Sequence, residues 1–287
     1  MHKLILLILA VSLTTACARQ NDNLNAVLWM QTAAEYRGNS LNVYHSATNR
    51  LAQAVKQHDI TAAIEQAEMY NCQLATACPA LADDKNLIPA VVLDIDETVL
   101  DNSIYQARLV RDSGEWNAET WDRWVAAQQA SAIPGAVDFI KAAKEHGMAI
   151  VYITNRRCQA RIGHASPCPQ RQDTLDNMKK LGFPDIEKPD LMLLRNQKPD
   201  WDQSEKKKRR EYVARTYRIA MLIGDDLGDL APDVKTIGIE ARFEFVDRHA
   251  LLYGNYWFQL GNPTYGSWTK PFAGKDKFDF LEVAPPL

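Results

Sequence analysis

Four unbroken apolar runs, each parted from the next by at least a helix's length of chain, constrain this sequence more than any other feature. They are Pro89–Asp94, Met148–Thr154, Asp190–Leu194 and Arg218–Gly224. A strand with one wet face alternates apolar and polar residues; a run without alternation needs cover on both faces, which is what crossover helices give a parallel strand. The expected fold is therefore α/β, an open doubly wound parallel sheet whose ligands meet the carboxyl ends of its strands. Polar residues gather at those ends: Asp94 and Asp96 after the first run, Thr154 and Asn155 at the second, Asp225 and Asp226 after the last.

Upstream, Asn25–Glu68 is rich in Ala, Leu, Gln and Glu, and Leu41, Tyr44, Ala47, Leu51 and Val55 recur at helical spacing. N-terminal helices are expected there, with Gly38 and Asn39 separating two of them and Ser40 capping the second. Ser103–Ile133, carrying Trp116, Trp121 and Trp124, is too long for a strand-to-helix loop and reads as a small cap insertion. From Phe243 the aromatic tail, with its Gly and Pro, reads as an irregular wrap over the core. Hydrophobic residues at 46%, charged residues at 24% and a net charge of −3 give no electrostatic case for a nucleic-acid polymer or for broad membrane adhesion. Nothing in the sequence decides for or against a homo-oligomer.

Met1, His2 and Lys3 precede an apolar stretch from Leu4 to Leu13, followed by Thr14, Thr15, Ala16 and Cys17. Residues 1–16 read as an export signal, leaving 17–287 as a single domain. Small residues directly before a cysteine resemble the bacterial lipoprotein signal, in which Cys17 carries the lipid, although Thr14 stands where that pattern usually has Leu. Ordinary cleavage near Ala16 is the competing reading. Ala18 in place of Asp favours the outer membrane, so the expected location is an outer-membrane lipoprotein or the periplasm. Four of the five cysteines then remain for an oxidising compartment. Cys72 with Cys78, and Cys158 with Cys168, fit two local disulfides; a metal site of cysteines and His164 matches no common zinc spacing.

Asp94-Ile-Asp-Glu-Thr98 puts two carboxylates at one strand end, and Gly224-Asp-Asp-Leu-Gly-Asp229 brings more to another. Each alone could be a solvated acidic turn. Together they form an oxygen-only donor set suited to Mg²⁺. A hydroxyl, an amide and an ammonium complete what phosphate chemistry needs: Thr154, Asn155 and a lysine from Ser204-Glu-Lys-Lys-Lys-Arg-Arg210, although such a basic run is more often a solvated helix face.

Asp94-x-Asp96-x-Thr98, Thr154 after a strand, a lysine before a helix, and Gly224-Asp-Asp-x-x-Asp229 resemble the four ordered motifs of the haloacid dehalogenase (HAD) phosphohydrolases. Within that superfamily the chain is similar to the class C bacterial acid phosphatases. Val92–Asn102, Ile133–Val137, Tyr152–Arg156 and Asn262–Trp268 support the likeness, which runs from about Val27 to Trp268.

The resemblance implies a Mg²⁺-dependent enzyme that hydrolyses small phosphomonoesters, nucleoside monophosphates among them. Asp94 would be the nucleophile and would form an aspartyl-phosphate; Asp96 would be acid and base, with its carbonyl on the metal. Asp94 and Asp225 would hold the metal by their side chains, with Asp229 one layer behind. Thr154, Asn155 and Lys206 would bind the phosphoryl group, Lys207 or Lys208 being the alternatives to Lys206. Tyr105, Trp121 and Tyr265 would stack on a leaving group or, on the plainer reading, pack the cap. The loop from Cys158 to Cys168 is longer than the family leads one to expect, and Gly261 stands where a Pro is expected. A non-catalytic binding or storage protein on this scaffold, and a HAD enzyme of another reaction type such as a dehalogenase, are the competing functions.

Overall fold

In the computed structural model, which describes residues 22–84, 87–184, 188 and 191–284, the apolar runs form strands as expected. The export signal, Cys17 and Asp190 lie outside the described residues. No described helix is long and apolar enough to cross a membrane.

The chain begins with helices α1 (Leu24–Thr32), α2 (Ala34–Lys56), α3 (Ile64–Met69) and α4 (Pro79–Asp83). The expected break at Gly38 and Asn39 does not occur. Helix α2 runs unbroken through both, and the interruption falls at Ala33, whose backbone is extended. Ser40 is mid-helix and donates to the Tyr36 carbonyl at 3.0 Å instead of capping anything. A glycine inside a helix costs about 1 kcal/mol, and the burial of Tyr36, Tyr44, Ala47 and Leu51 along one side of α2 outweighs it.

Next come β1 (Ile88–Leu93), β2 (Leu100–Asp101), the cap helices α5 (Ser103–Arg111) and α6 (Ala118–Ala127), β3 (Ser131–Ala132) and α7 (Ala136–Glu145). Strands β2 and β3 pair into a short antiparallel ribbon at the two ends of the cap segment. The chain continues through β4 (Ala149–Arg157), α8 (Pro169–Lys180), β5 (Met192–Arg195), α9 (Lys207–Ala214), β6 (Tyr217–Gly224), α10 (Leu227–Leu230), α11 (Ile239–Arg248) and β7 (Trp257–Gln259). The tail thus departs from an irregular wrap: it supplies a helix and an edge strand before it becomes irregular.

Among the described residues, the main sheet has the order β5-β4-β1-β6-β7, with every neighbouring pair parallel. Val91, Leu93, Tyr152, Met192 and Ile223 enter one core with α2 and α7. Ala90, Val92, Val151, Leu193 and Leu222 enter a second core with α9 and α10. Both faces are dry, which is why the strands carry no alternation. Both cysteine pairs are joined, Cys72 to Cys78 and Cys158 to Cys168, with Cα–Cα distances of 5.6 and 4.6 Å.

Candidate active site

Central strand β1 has β4 on one side and β6 on the other, so their carboxyl ends open on one crevice, the switch point where doubly wound sheets take ligands. Asp94 follows β1 immediately and its amide bonds the Ile223 carbonyl of β6 at 3.0 Å. Gly224 ends β6, and a Cβ there would lie 2.3 Å from the Asp229 Cβ, so only glycine lets Asp229 close over the strand end. Carboxylate oxygens of Asp94, Asp225 and Asp229 come within 4.8 Å of one another, a group able to hold a metal ion. Asp229 stands beside the other two in this group and is buried. Asp225 is fixed by donors on both oxygens, Thr98 Oγ1 at 3.1 Å and Asn262 Nδ2 at 2.9 Å.

Lys206, just before α9, bonds Asp94 and lies 2.7 Å from Asp229. Lys207 reaches out to Asp233 at 3.7 Å and Lys208 is exposed, so the basic run is half buried: Lys206, Arg209 and Arg210 share one helical face, spaced three and four apart. Burial pushes the Asp94 carboxyl up to about 7, with Asp229 and Asp96 adding to the shift and Lys206 opposing it. Asp225 is also raised, by burial and then by Asp229 and Asp94. Burial alone would lower Lys206; Asp229 and Asp94 more than offset it and hold the ammonium above its ordinary value.

Asp96 is not in this group but lines the same cavity. Its Oδ1 accepts from Arg156 Nη2 at 2.7 Å, Arg156 Nε at 3.0 Å and Asn102 Nδ2 at 3.0 Å. Asn102 is itself held by Trp124 Nε1 at 2.8 Å. Strand β4 does not stop at Thr154 but continues to Arg157, with an irregular register against β5 over that stretch. Thr154 is fully buried and its hydroxyl accepts from the Arg156 amide at 3.0 Å, leaving its proton to donate. Asn155 reaches the crevice, and its Oδ1 takes Arg209 Nη2 at 2.8 Å.

Sequence reasoning gave no role to Arg156, Arg209, Arg210 or Glu65, although the Lys206-x-x-Arg209 pattern singled out Lys206. Arg210 bonds the buried Glu65 at 2.8 Å and the carbonyls of Gly228 and Asp229 at 3.0 Å each, tying α3, α9 and the Asp229 turn together. The spacing of Arg209 and Arg210 from Lys206 was the available signal.

Above the carboxylates opens a cavity of about 1010 Å³, walled by Trp116 and Trp121 from the cap and by Tyr265, Trp268, Phe272 and Phe280 from the tail. Tyr105 is not part of that wall. It is buried behind Trp121, rings 5.1 Å apart, with its hydroxyl 2.9 Å from Thr120 Oγ1, so the packing reading fits it and the stacking reading does not. The tail is drawn in by Asp226, which accepts from the Ser267 amide and, at 2.9 Å, from its hydroxyl.

Residues 13–268 match the family described as HAD superfamily, subfamily IIIB (Acid phosphatase). The chain belongs to that family. It is also similar in structure to the class C acid phosphatase from Bacillus anthracis, at 29% identity and a TM-score of 0.70 over 92% of this chain and 98% of that one. A crystal structure of that class C enzyme with tungstate bound gives 28% identity and a TM-score of 0.68 over the same shares. The phosphatase is thus a phosphomonoesterase acting on small phosphoesters, and the storage-protein and dehalogenase alternatives fall away. Its fold is the HAD-like α/β sheet with a helical cap that the motifs implied.

Proposed function

We propose that the phosphatase is Mg²⁺-dependent and works through an aspartyl-phosphate on Asp94, with nucleoside monophosphates as favoured substrates. The observation that carries this reading is the buried Asp94 carboxylate, joined to Lys206 and flanked by Asp225 and Asp229, on the floor of an aromatic cavity.

Lys206 and the Asn155 amide, with the Thr154 hydroxyl beneath, receive the phosphoryl oxygens, since charge stabilisation is most of what a protein can add to this reaction. An Asp94 oxygen attacks phosphorus as the ester oxygen leaves, and Asp96 gives that oxygen a proton. Asp96 then takes a proton from water, which attacks phosphorus, frees Asp94 and releases phosphate. The all-carboxylate donor set fits a hard divalent cation. Asp94 and Asp225 would hold it, with the Asp96 carbonyl, and Mg²⁺ when bound supplies the positive charge that lets a carboxylate approach a phosphate.

Trp121 and Tyr265 line the cavity where a nucleobase would lie, and stacking tolerates any base. The bound tungstate of the Bacillus anthracis structure, a phosphate-like oxyanion, supports an anion site in this fold. Residues 1–16 as an export signal and a lipid on Cys17 complete the reading, placing the enzyme at the outer membrane or in the periplasm.

A panel of phosphomonoesters assayed with EDTA and with Mg²⁺ tests it. Nucleoside monophosphates should be cleaved with little base preference and better than small aliphatic phosphates, and EDTA should stop turnover until Mg²⁺ restores it. Full activity in excess chelator refutes the metal assignment. Tyr265→Ala should raise KM for nucleotides selectively, and an equal loss on a small aliphatic phosphate removes the support for nucleotides.

A further inference from the structure

Arg161 belongs to the loop that Cys158 and Cys168 close, the segment whose length departs from the family expectation. Its guanidinium grips Asp122 of cap helix α6 with two parallel bonds, Nε to Oδ2 at 2.8 Å and Nη2 to Oδ1 at 2.9 Å. The third nitrogen, Nη1, bonds Asp173 of α8 at 2.8 Å. Gln170 of α8 adds a bond from its Nε2 to Asp122 at 2.8 Å, while its Oε1 accepts from the amide of Gln159 in the loop at 3.1 Å.

The three charged side chains are only 15 to 17% exposed, so this is neither a loose surface pair nor one that solvent screens strongly. Apolar packing seats only the two ends of the loop, Cys158 and Cys168, against the core, while Ile162, next to Arg161, is fully exposed. The anchor is polar, and it falls on the residue beside Trp121. That ring forms cavity wall, with Arg156 5.9 Å from its centroid and Tyr105 against it.

We propose that the Cys158–Cys168 loop is a specificity-determining clamp: by holding Arg161 on Asp122 it fixes α6, and so sets the position of Trp121 against the leaving group of the substrate. Arg161 touches no reacting atom and acts through α6. The specificity half of the proposal rests on the reading of Trp121 as a stacking surface; the mechanical half does not.

The test uses the full chain as Arg161→Gln, Asp122→Asn and the double variant Cys158→Ser/Cys168→Ser, which leaves the other disulfide intact. Hydrogen exchange of the amides of α6 should quicken in all three. The KM for adenosine monophosphate should rise about tenfold, the weight of a lost stacking surface, with kcat and the KM for methyl phosphate held within about twofold. Trp121→Ala should raise the nucleotide KM similarly, and adding Arg161→Gln to it should add little. Unchanged exchange in α6 overturns the clamp, as does an equal loss on both substrates. If Trp121→Ala leaves the nucleotide KM unchanged, the specificity half fails together with stacking, while the exchange data still decide whether the loop holds the cap.

Discussion

Asp94 is a carboxylate whose burial disfavours its charge, a cost accepted for reactivity. Replacing it by the near-isosteric amide should abolish turnover and, with the buried charge gone, raise the Tm of the metal-free protein at neutral pH, by about 2–4 °C per kcal/mol relieved. Steady-state assay and a thermal melt check this; retained turnover with a lower Tm contradicts it. Gly224→Ala should cost both activity and stability. Its new methyl would displace Asp229, and with it Lys206, so kcat/KM should fall about a hundredfold while stability drops by about 1–3 kcal/mol; denaturant titration separates the two effects. The aspartates were legible in the sequence because strand direction alone brings Asp94 and Asp225 to one edge. Arg156 and Arg210 were not, since their carboxylate partners lie 60 and 145 residues away in the chain and only the tertiary fold makes them neighbours.

Elements were legible where burial on both faces left an unbroken apolar run. They were illegible where packing overruled a local signal, as at Gly38 inside α2, or where the element was short. Strand β7 spans three residues, Trp257–Gln259, in a tail rich in aromatics, and only its pairing with Leu222, Ile223 and Gly224 makes it a strand. Helix α6 carries a testable electrostatic load. Arg161 holds the Asp122 carboxyl below its usual range, helped by Gln170 and the nearby His164, while burial opposes. A carboxyl lowered in the folded state contributes stability that is complete above its unfolded pKa, near 3.8, and is lost as pH falls through and below that value. The protection of the α6 amides, relative to their intrinsic exchange at the same pH, should therefore fall as pH drops below about 4, and Asp122→Asn should remove that pH dependence. An unaltered acid profile in the variant would show that some other group governs it.

At the scale of the whole molecule, a cation held by Asp94 and Asp225 binds the folded chain alone, because those ligands come from different strands. Mg²⁺ at a hundred times its Kd should therefore add about 2.7 kcal/mol of stability, and EDTA should remove it. A Tm indifferent to Mg²⁺ would count against the assignment. Cys17→Ser should move the protein from the membrane to the soluble fraction without changing kcat, since the lipid on Cys17, and no described helix, would be the anchor. Unchanged membrane association in that fractionation would exclude a lipid on Cys17.

The central strand also governs how the polypeptide is made. β1 is synthesised early, yet its partners β4 and β6 come from Ala149–Arg157 and Tyr217–Gly224, far downstream. Distant pairings of this kind form slowly. Until Tyr217–Gly224 emerges, a partly folded chain would carry apolar strands with one open edge, the kind of surface that recruits neighbouring chains or a holding chaperone. Catalysis waits on the same event, for Asp225 follows β6 by a single peptide bond, and the tail that walls the cavity is translated later still. A polypeptide stalled before Tyr217 would be prone to aggregate and chemically inert, so phosphatase activity counts only chains that have been finished.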